Sequence, residues 1–211
     1  MTDDILEATT LYTVVSTMPR PRQFDKTELL QQAMILFEAK GYEGTSIRDL
    51  IEVTGISSSS MYEVFGDKRG IFLATLEHFC EHELRRVQQL SQDAGSAQGF
   101  IEMLFTTLEI ASQPDKRGQG SLAFNTMVEF GTQDAEVTQI LLRHYFAISE
   151  IVANLITEGQ KNGTVTTQEN AQALAYTFLC TLQGFGTVKG VKPNFEFGAH
   201  ILSIMVKMLN P

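Results

Sequence analysis

Two stretches of the chain hold residues that could do chemistry. In "EHFCEHE" (Glu77–Glu83), His78 and His82 stand four apart and share one helix face, with Cys80 and Glu81 between them. Zinc accepts ligands of these types. Cys80, however, sits about 200° around the helix from His78 and cannot join it at one ion without distortion. Nor is the order that of a helical zinc protease, H-E-x-x-H. The stretch therefore reads as a solvated polar stripe, and no metal is expected. The chain has no nucleophile elbow or phosphate loop, so no cofactor is implied, and an enzyme on a helical scaffold would lack recognisable reacting groups.

The second stretch is "TGISSSSMYEVFGDKRG" (Thr54–Gly70). Its four serines could be a flexible linker, but very little chain separates Gly55 from Met61 and Phe65, which stand four apart on one helix face. Ser57 is placed to cap a short helix, its hydroxyl accepting from a free amide in the first turn. Ser58 and Ser59 then form the tip of that helix. Hydroxyls at a helix N-terminus, together with backbone amides and the helix dipole, suit phosphate oxygens. Serine discriminates weakly between base edges, whereas Glu63 could accept from a cytosine amino group.

The elements that must position these groups are helices. "FDKTELLQQAMILFEAKGYEG" places Asp25 as an N-cap, an apolar stripe at Leu29, Leu30, Ala33, Leu36 and Phe37, and Gly41 as a C-cap. Thr45 or Ser46 can cap "SIRDLIEVTG", which Gly55 ends. A third short helix follows, and Asp67 caps a long fourth from about Lys68 to Ser91. Further helices fit about 99–112, 119–131, 134–161, 168–188 and 194–209. The expected fold is all-α with about nine helices. Its second and third helices form a helix-turn-helix, which puts the start of the third into the DNA major groove. Ahead of the first helix, "PRPRQ" (Pro19–Gln23) is extended by its prolines. Arg20 and Arg22 could enter the minor groove as a basic arm or belong to a solvated tail.

The segment "LLQQAMILFEAKGYEGTSIRDLIEVTGISSSSMYEVFGDKRGIF" resembles the N-terminal domain of TetR-family transcriptional regulators. Ala33, Leu36-Phe37, Gly41-Tyr42, Thr45-Ser46, Asp49, Gly55-Ile56-Ser57, Tyr62, Phe65, Lys68 and Phe72 carry the resemblance without a gap. "GSLAFNTMVEFG" (Gly120–Gly131) is similar to one subgroup's "GCLLxNxxxE" segment, with Ser121 where a cysteine is common. The resemblance implies phosphate contacts from Tyr62, Lys68 and the Thr45-Ser46 helix start. It also implies that the helical remainder binds a small-molecule effector and forms a dimer. Ser58-Ser59 and Glu63-Val64 depart from the family's usual Lys-Gly and His-His types. The candidate DNA-binding set is Arg20, Arg22, Thr45, Ser46, Arg48, Ser57, Ser58, Ser59, Tyr62, Glu63 and Lys68. The division that follows is a tail over 1–23, a DNA-binding domain over 24–70 and a ligand-binding and dimerisation domain over 71–211.

Composition neither supplies nor forbids this reading. With 211 residues, 43% of them hydrophobic, the chain can bury a sizeable core. Its net charge of −9 does not advertise nucleic acid, and residues 20–70 carry seven bases against eight acids. Two cysteines, Cys80 and Cys180, suit a reducing cytosol and read as buried core. The N-terminus lacks a signal peptide's bases, and no apolar run approaches the length of a membrane span, so a cytoplasmic protein is expected. Phe105, Leu108, Phe124, Asn125, Met127, Tyr145, Phe146 and Tyr176 are candidates to line an effector pocket. The last two helices, apolar and rich in small residues, are candidates for a homodimer interface reading a palindromic operator. The function expected is a ligand-responsive repressor. A protein-interaction regulator that uses the helix-turn-helix as a binding surface is the alternative.

Overall fold

The computed structural model describes residues 25–111, 121–191 and 196–211. The expected tail, with Arg20 and Arg22, lies outside the described residues. Among those described there are nine helices and no strand: α1 (Lys26–Lys40), α2 (Ile47–Thr54), α3 (Ser58–Phe65), α4 (Lys68–Asp93), α5 (Ala97–Ala111), α6 (Leu122–Phe130), α7 (Ala135–Lys161), α8 (Ala171–Val191) and α9 (Gly198–Lys207).

Side chains that satisfy the free first-turn amides set where most of these helices start. Asp25, Ser46, Ser57, Asp67, Ser121 and Asp134 each accept from a first-turn N–H of the helix they precede. Asn170 does the same for α8, accepting from Gln172 and Ala173. Three starts therefore fall later than the apolar pattern places them: Leu122 rather than 119, Ala171 rather than 168 and Gly198 rather than 194. In the first two the capping residue, not the onset of apolar residues, decides.

Two cores form. The first gathers Ala33 and Phe37 of α1, Leu50 of α2, Met61 of α3, Ile71, Phe72 and Leu76 of α4, and residues of α6 and α7. The second gathers Phe100 and Ile101 of α5, Val152 and Ile156 of α7, Phe178 of α8, and Met205 and Leu209 at the C-terminal end. Helix α7 serves both, through Val137, Ile140 and Leu141 at one end and Val152, Ala153 and Ile156 at the other. By length and composition alone α7 could cross a membrane, with a mean hydropathy of 1.2 over its most apolar window. The expectation that no run comes close is corrected on that point. In the fold α7 packs on α4 and α8 and turns Arg143, Glu150 and Glu158 outward.

Helix α4 runs unbroken past residue 70, where the two functional domains were expected to divide. The first core crosses that point too, since Leu122, Ala123 and Val137 pack with Leu29 and Phe37.

Candidate nucleic-acid interface

The Ser57 Oγ accepts from the Ser60 amide at 3.1 Å, closing the first turn of α3. It also lies 3.0 Å from the Ser59 Oγ and donates to the Ser60 Oγ at 2.9 Å. Three of the four serine hydroxyls thus bond to one another, and the exposed Ser58 hydroxyl has no such partner among the described residues. Below them Met61 is fully buried and Ile56 is nearly so, which ties the helix to the first core. Tyr62, Glu63 and Val64 face outward, the Tyr62 ring being 51% exposed. Gly55 adopts the left-handed conformation, φ 64°, that the tight turn between α2 and α3 requires. Leu50 is fully buried under the pair. The Gly55 turn and the shared burial of Leu50, Ile56 and Met61 in the first core join the two helices.

At the start of α2, Ser46 and Asp49 form a reciprocal capping box: the Ser46 Oγ accepts from the Asp49 amide, and the Asp49 carboxylate accepts from the Ser46 amide. Lys40 donates to the same carboxylate at 2.8 Å. Lys40 and then Ser46 hold the Asp49 carboxyl far below the usual carboxylate range. Ser46 and Arg48 are exposed. Thr45 is not at this face. It is 1% exposed, and its hydroxyl donates to the Gly41 carbonyl at 2.7 Å. A buried hydroxyl needs a partner, and the turn supplies one.

The bases around the unit are largely engaged. The Lys68 Nζ stands 4.2 Å over the Tyr42 ring. Arg69 pairs in bidentate fashion with Asp134, which caps α7, and also with Glu136 at 2.8 Å. Sequence reading missed this pair, and it missed Glu129, whose carboxylate accepts from the Tyr42 and Glu43 amides at 2.9 Å each. Partners 65 to 87 residues apart leave no spacing that reveals the contacts, although Glu129 is the acid that closes the segment similar to "GCLLxNxxxE".

Residues 29–75 match the family described as "Bacterial regulatory proteins, tetR family". The likeness to that family rests on this helix-turn-helix segment. The match covers α2 and α3 entire, with most of α1 and the start of α4. The chain is 29% identical over 126 residues to the uncharacterized HTH-type transcriptional regulator YezE of Bacillus subtilis. That alignment spans 60% of this chain and 65% of the relative, just under two thirds of its length. The HTH-type transcriptional repressor ComR of Escherichia coli is 24% identical over 166 residues, 78% of this chain and 79% of that one. A cysteine mutant of the TetR-family regulator CifR, complexed with 26-bp double-strand operator DNA, shares the fold: its TM-score is 0.78 at 24% identity, covering 90% of this chain and 99% of that one.

The expected effector residues divide between the second core, which holds Phe105 and against which Leu108 and Tyr145 pack, and helix α6. Phe105 is buried in the second core, its ring 4.7 Å from Phe185, with the half-buried Leu108 packed alongside that core. Phe124, Asn125 and Met127 are half-buried on α6, Met127 against the first core. Tyr145 stacks on Tyr176 at 6.1 Å and lies edge-on to Phe146. Phe146 and Tyr176 are exposed, so this chain alone does not enclose them.

The two cysteines differ. Cys80 is buried, and burial pushes its thiol up to about 12. Cys180 is exposed beside the Tyr145 hydroxyl at 3.7 Å, contrary to the expectation of a buried core cysteine. Its position on α8 puts it on the helix face opposite Phe178 rather than beside it.

Two titratable groups, one buried and one half-buried, were also missed. His144 of α7 is buried edge-on to Phe79, with no partner for Nδ1, and burial holds it neutral by lowering its pKa. Glu38 of α1 is pushed up to about 7 by burial; the Leu122 amide partly opposes this and Glu83 adds to it. Each interrupts an apolar stripe at helical spacing, a signal that could have flagged both.

Proposed function

We propose that the chain is a ligand-responsive transcriptional repressor that binds a palindromic operator as a homodimer and is released by a small-molecule effector. The observation that carries this reading is the capped helix α3, anchored by Met61 and presenting Ser58, Ser59, Tyr62 and Glu63 at its free face. On this reading the exposed Ser46 and Arg48, with Ser57 and Lys68, meet backbone phosphates. Helix α3 enters the major groove with its N-terminal turn, and α2 lies across the backbone. Residues 24–70 read the operator, and residues 71–211 bind effector and partner. The second core, around Phe105, Phe178 and Phe185, is where an apolar effector would be enclosed.

The partner is a second copy. Tyr176, Cys180, Gly184 and Val188 form an exposed stripe on α8, and Ile204 of α9 is exposed with Met208 just beyond its end. A Cβ placed on Gly184 would meet nothing within 4 Å, so that position leaves room for a helix of the other copy. The protein is not an enzyme, and it works in the cytoplasm, where the DNA is. An electrophoretic shift with the region upstream of its own gene tests the reading: a discrete complex at low salt is expected, and failure of the purified dimer to bind any genomic DNA would overturn it.

A further inference from the structure

Helix α6 grips the turn that launches α2. Residues Gly41–Thr45 turn sharply between α1 and α2, closed from within by the Thr45 amide and hydroxyl, which donate to Tyr42 and Gly41. On the outer side of the turn the Tyr42 and Glu43 amides point the same way. Both are bound by one carboxylate, that of Glu129 in the last turn of α6, at 2.9 Å each. Gly41 has φ 71°, and a Cβ there would stand 3.1 Å from a Glu129 oxygen. Glycine at this point therefore serves both the backbone conformation and the approach of the carboxylate. The neighbouring Phe130 ring packs on Tyr42 at 5.3 Å and on Phe72 at 5.4 Å. The end of α6 thus holds the turn by one ring and one bidentate carboxylate.

We infer that Glu129 is a positioning residue for operator binding: its two-pronged hold on the Tyr42 and Glu43 amides sets the tilt of α2 and α3 against α6. The inference rests on the reading of α2 and α3 as the operator-binding unit. A carboxylate suits the task because it offers two acceptor oxygens and no donor. The site is open to water, so the freed amides can be hydrated when the carboxylate is removed, and the fold loses little. What is lost is the fixed angle. Two specific patches must dock on DNA in register, so a wider range of angles lowers affinity even when every contacting side chain is intact.

The test uses Glu129→Ala and the near-isosteric Glu129→Gln, which keeps one acceptor and sets an NH2 against the second amide. The full chain carries Cys180→Ser and spin labels at Ser59→Cys and Glu150→Cys, diluted with unlabelled chain so that the distance from α3 to α7 is read within one copy. Both variants are expected to melt close to the parent, to broaden that distance distribution and to speed hydrogen exchange of the Tyr42 and Glu43 amides. Binding to the upstream duplex, measured on the unlabelled variants, should weaken about tenfold, the scale of one lost hydrogen bond to a charged group. A distribution and amide protection unchanged in both variants would overturn the positioning role. If the parent binds no DNA, the repressor reading falls, but the distance measurement, which needs no DNA, still decides the role of Glu129.

Discussion

Single hydroxyls and carboxyls carry most of what is particular to this chain. Ser57 closes the first turn of α3 and holds the Ser59 and Ser60 hydroxyls around it. Replacing it with alanine removes the cap, which costs about 0.5–2 kcal/mol. Urea denaturation of Ser57→Ala should show a lower midpoint with the slope unchanged, and operator affinity should fall with the fraying of the helix tip. Glu38 makes a different prediction. Its carboxyl is raised to about 7 in the folded chain, mainly by burial, from an ordinary value near 4.5. Between those values the folded state holds the proton more tightly than the unfolded chain, so stability is greatest below the lower value and declines as pH rises to the higher. Thermal melts of the native chain should fall from pH 5 to about pH 7.5. Glu38→Gln should flatten that dependence and melt higher than the parent at pH 8, and a parallel decline in the variant would assign the slope to another group.

At the scale of elements, the sequence discloses whatever a side chain does to its own backbone. Asp25, Ser46, Ser57 and Asp67 are legible as caps because each acts within three residues of itself. The order of the helices and the unit made by α2 and α3 follow from these caps, the left-handed glycines and the apolar period. What stays illegible is which way a residue faces once helices pack on one another. Thr45 reads as a phosphate donor and is turned inward; Cys180 reads as core and is turned outward. Periodicity finds an apolar face but does not say whether this chain or a partner covers it, which is why Phe146 and Tyr176 were placed in a pocket and stand exposed. The ties from Glu129 and Arg69 depend on α6 and α7 arriving from far along the chain, and no spacing rule reaches that distance.

For the molecule as a whole, charge and assembly decide binding. Lys40 and Arg69 are held in ion pairs, and Lys68 lies over a ring. Few bases near α2 and α3 are therefore free to displace counterions, and with a net charge of −9 the chain has little long-range attraction for DNA. The logarithm of operator affinity should fall only gently with the logarithm of salt concentration, with a slope magnitude of about 3–5 per dimer. A slope near the about 10 of a strongly basic repressor would show that residues before Asp25 contribute most of the phosphate contacts. Affinity must then come from binding two half-sites at once. Ile204 is 60% exposed on α9 and bonds to nothing polar, so Ile204→Asp should leave the monomer's fold intact while splitting the dimer. Sedimentation should report the single-chain mass, and operator binding should be lost at concentrations where the parent is saturated.

The unbroken α4 and the first core have a consequence for engineering. An operator preference is often thought of as a cassette, to be moved between regulators by cutting at the end of the helix-turn-helix. Here the floor of that cassette is laid by Leu122 and Ala123 of α6 and by Val137, Ile140 and Leu141 of α7. A graft of residues 24–70 onto another scaffold would leave those contacts behind. On the repressor reading, operator choice is not portable as a block, whereas the outward residues Ser58 and Glu63 can be rewritten in place; a change at Ser59 would also remove its hydroxyl from the Ser57 cap.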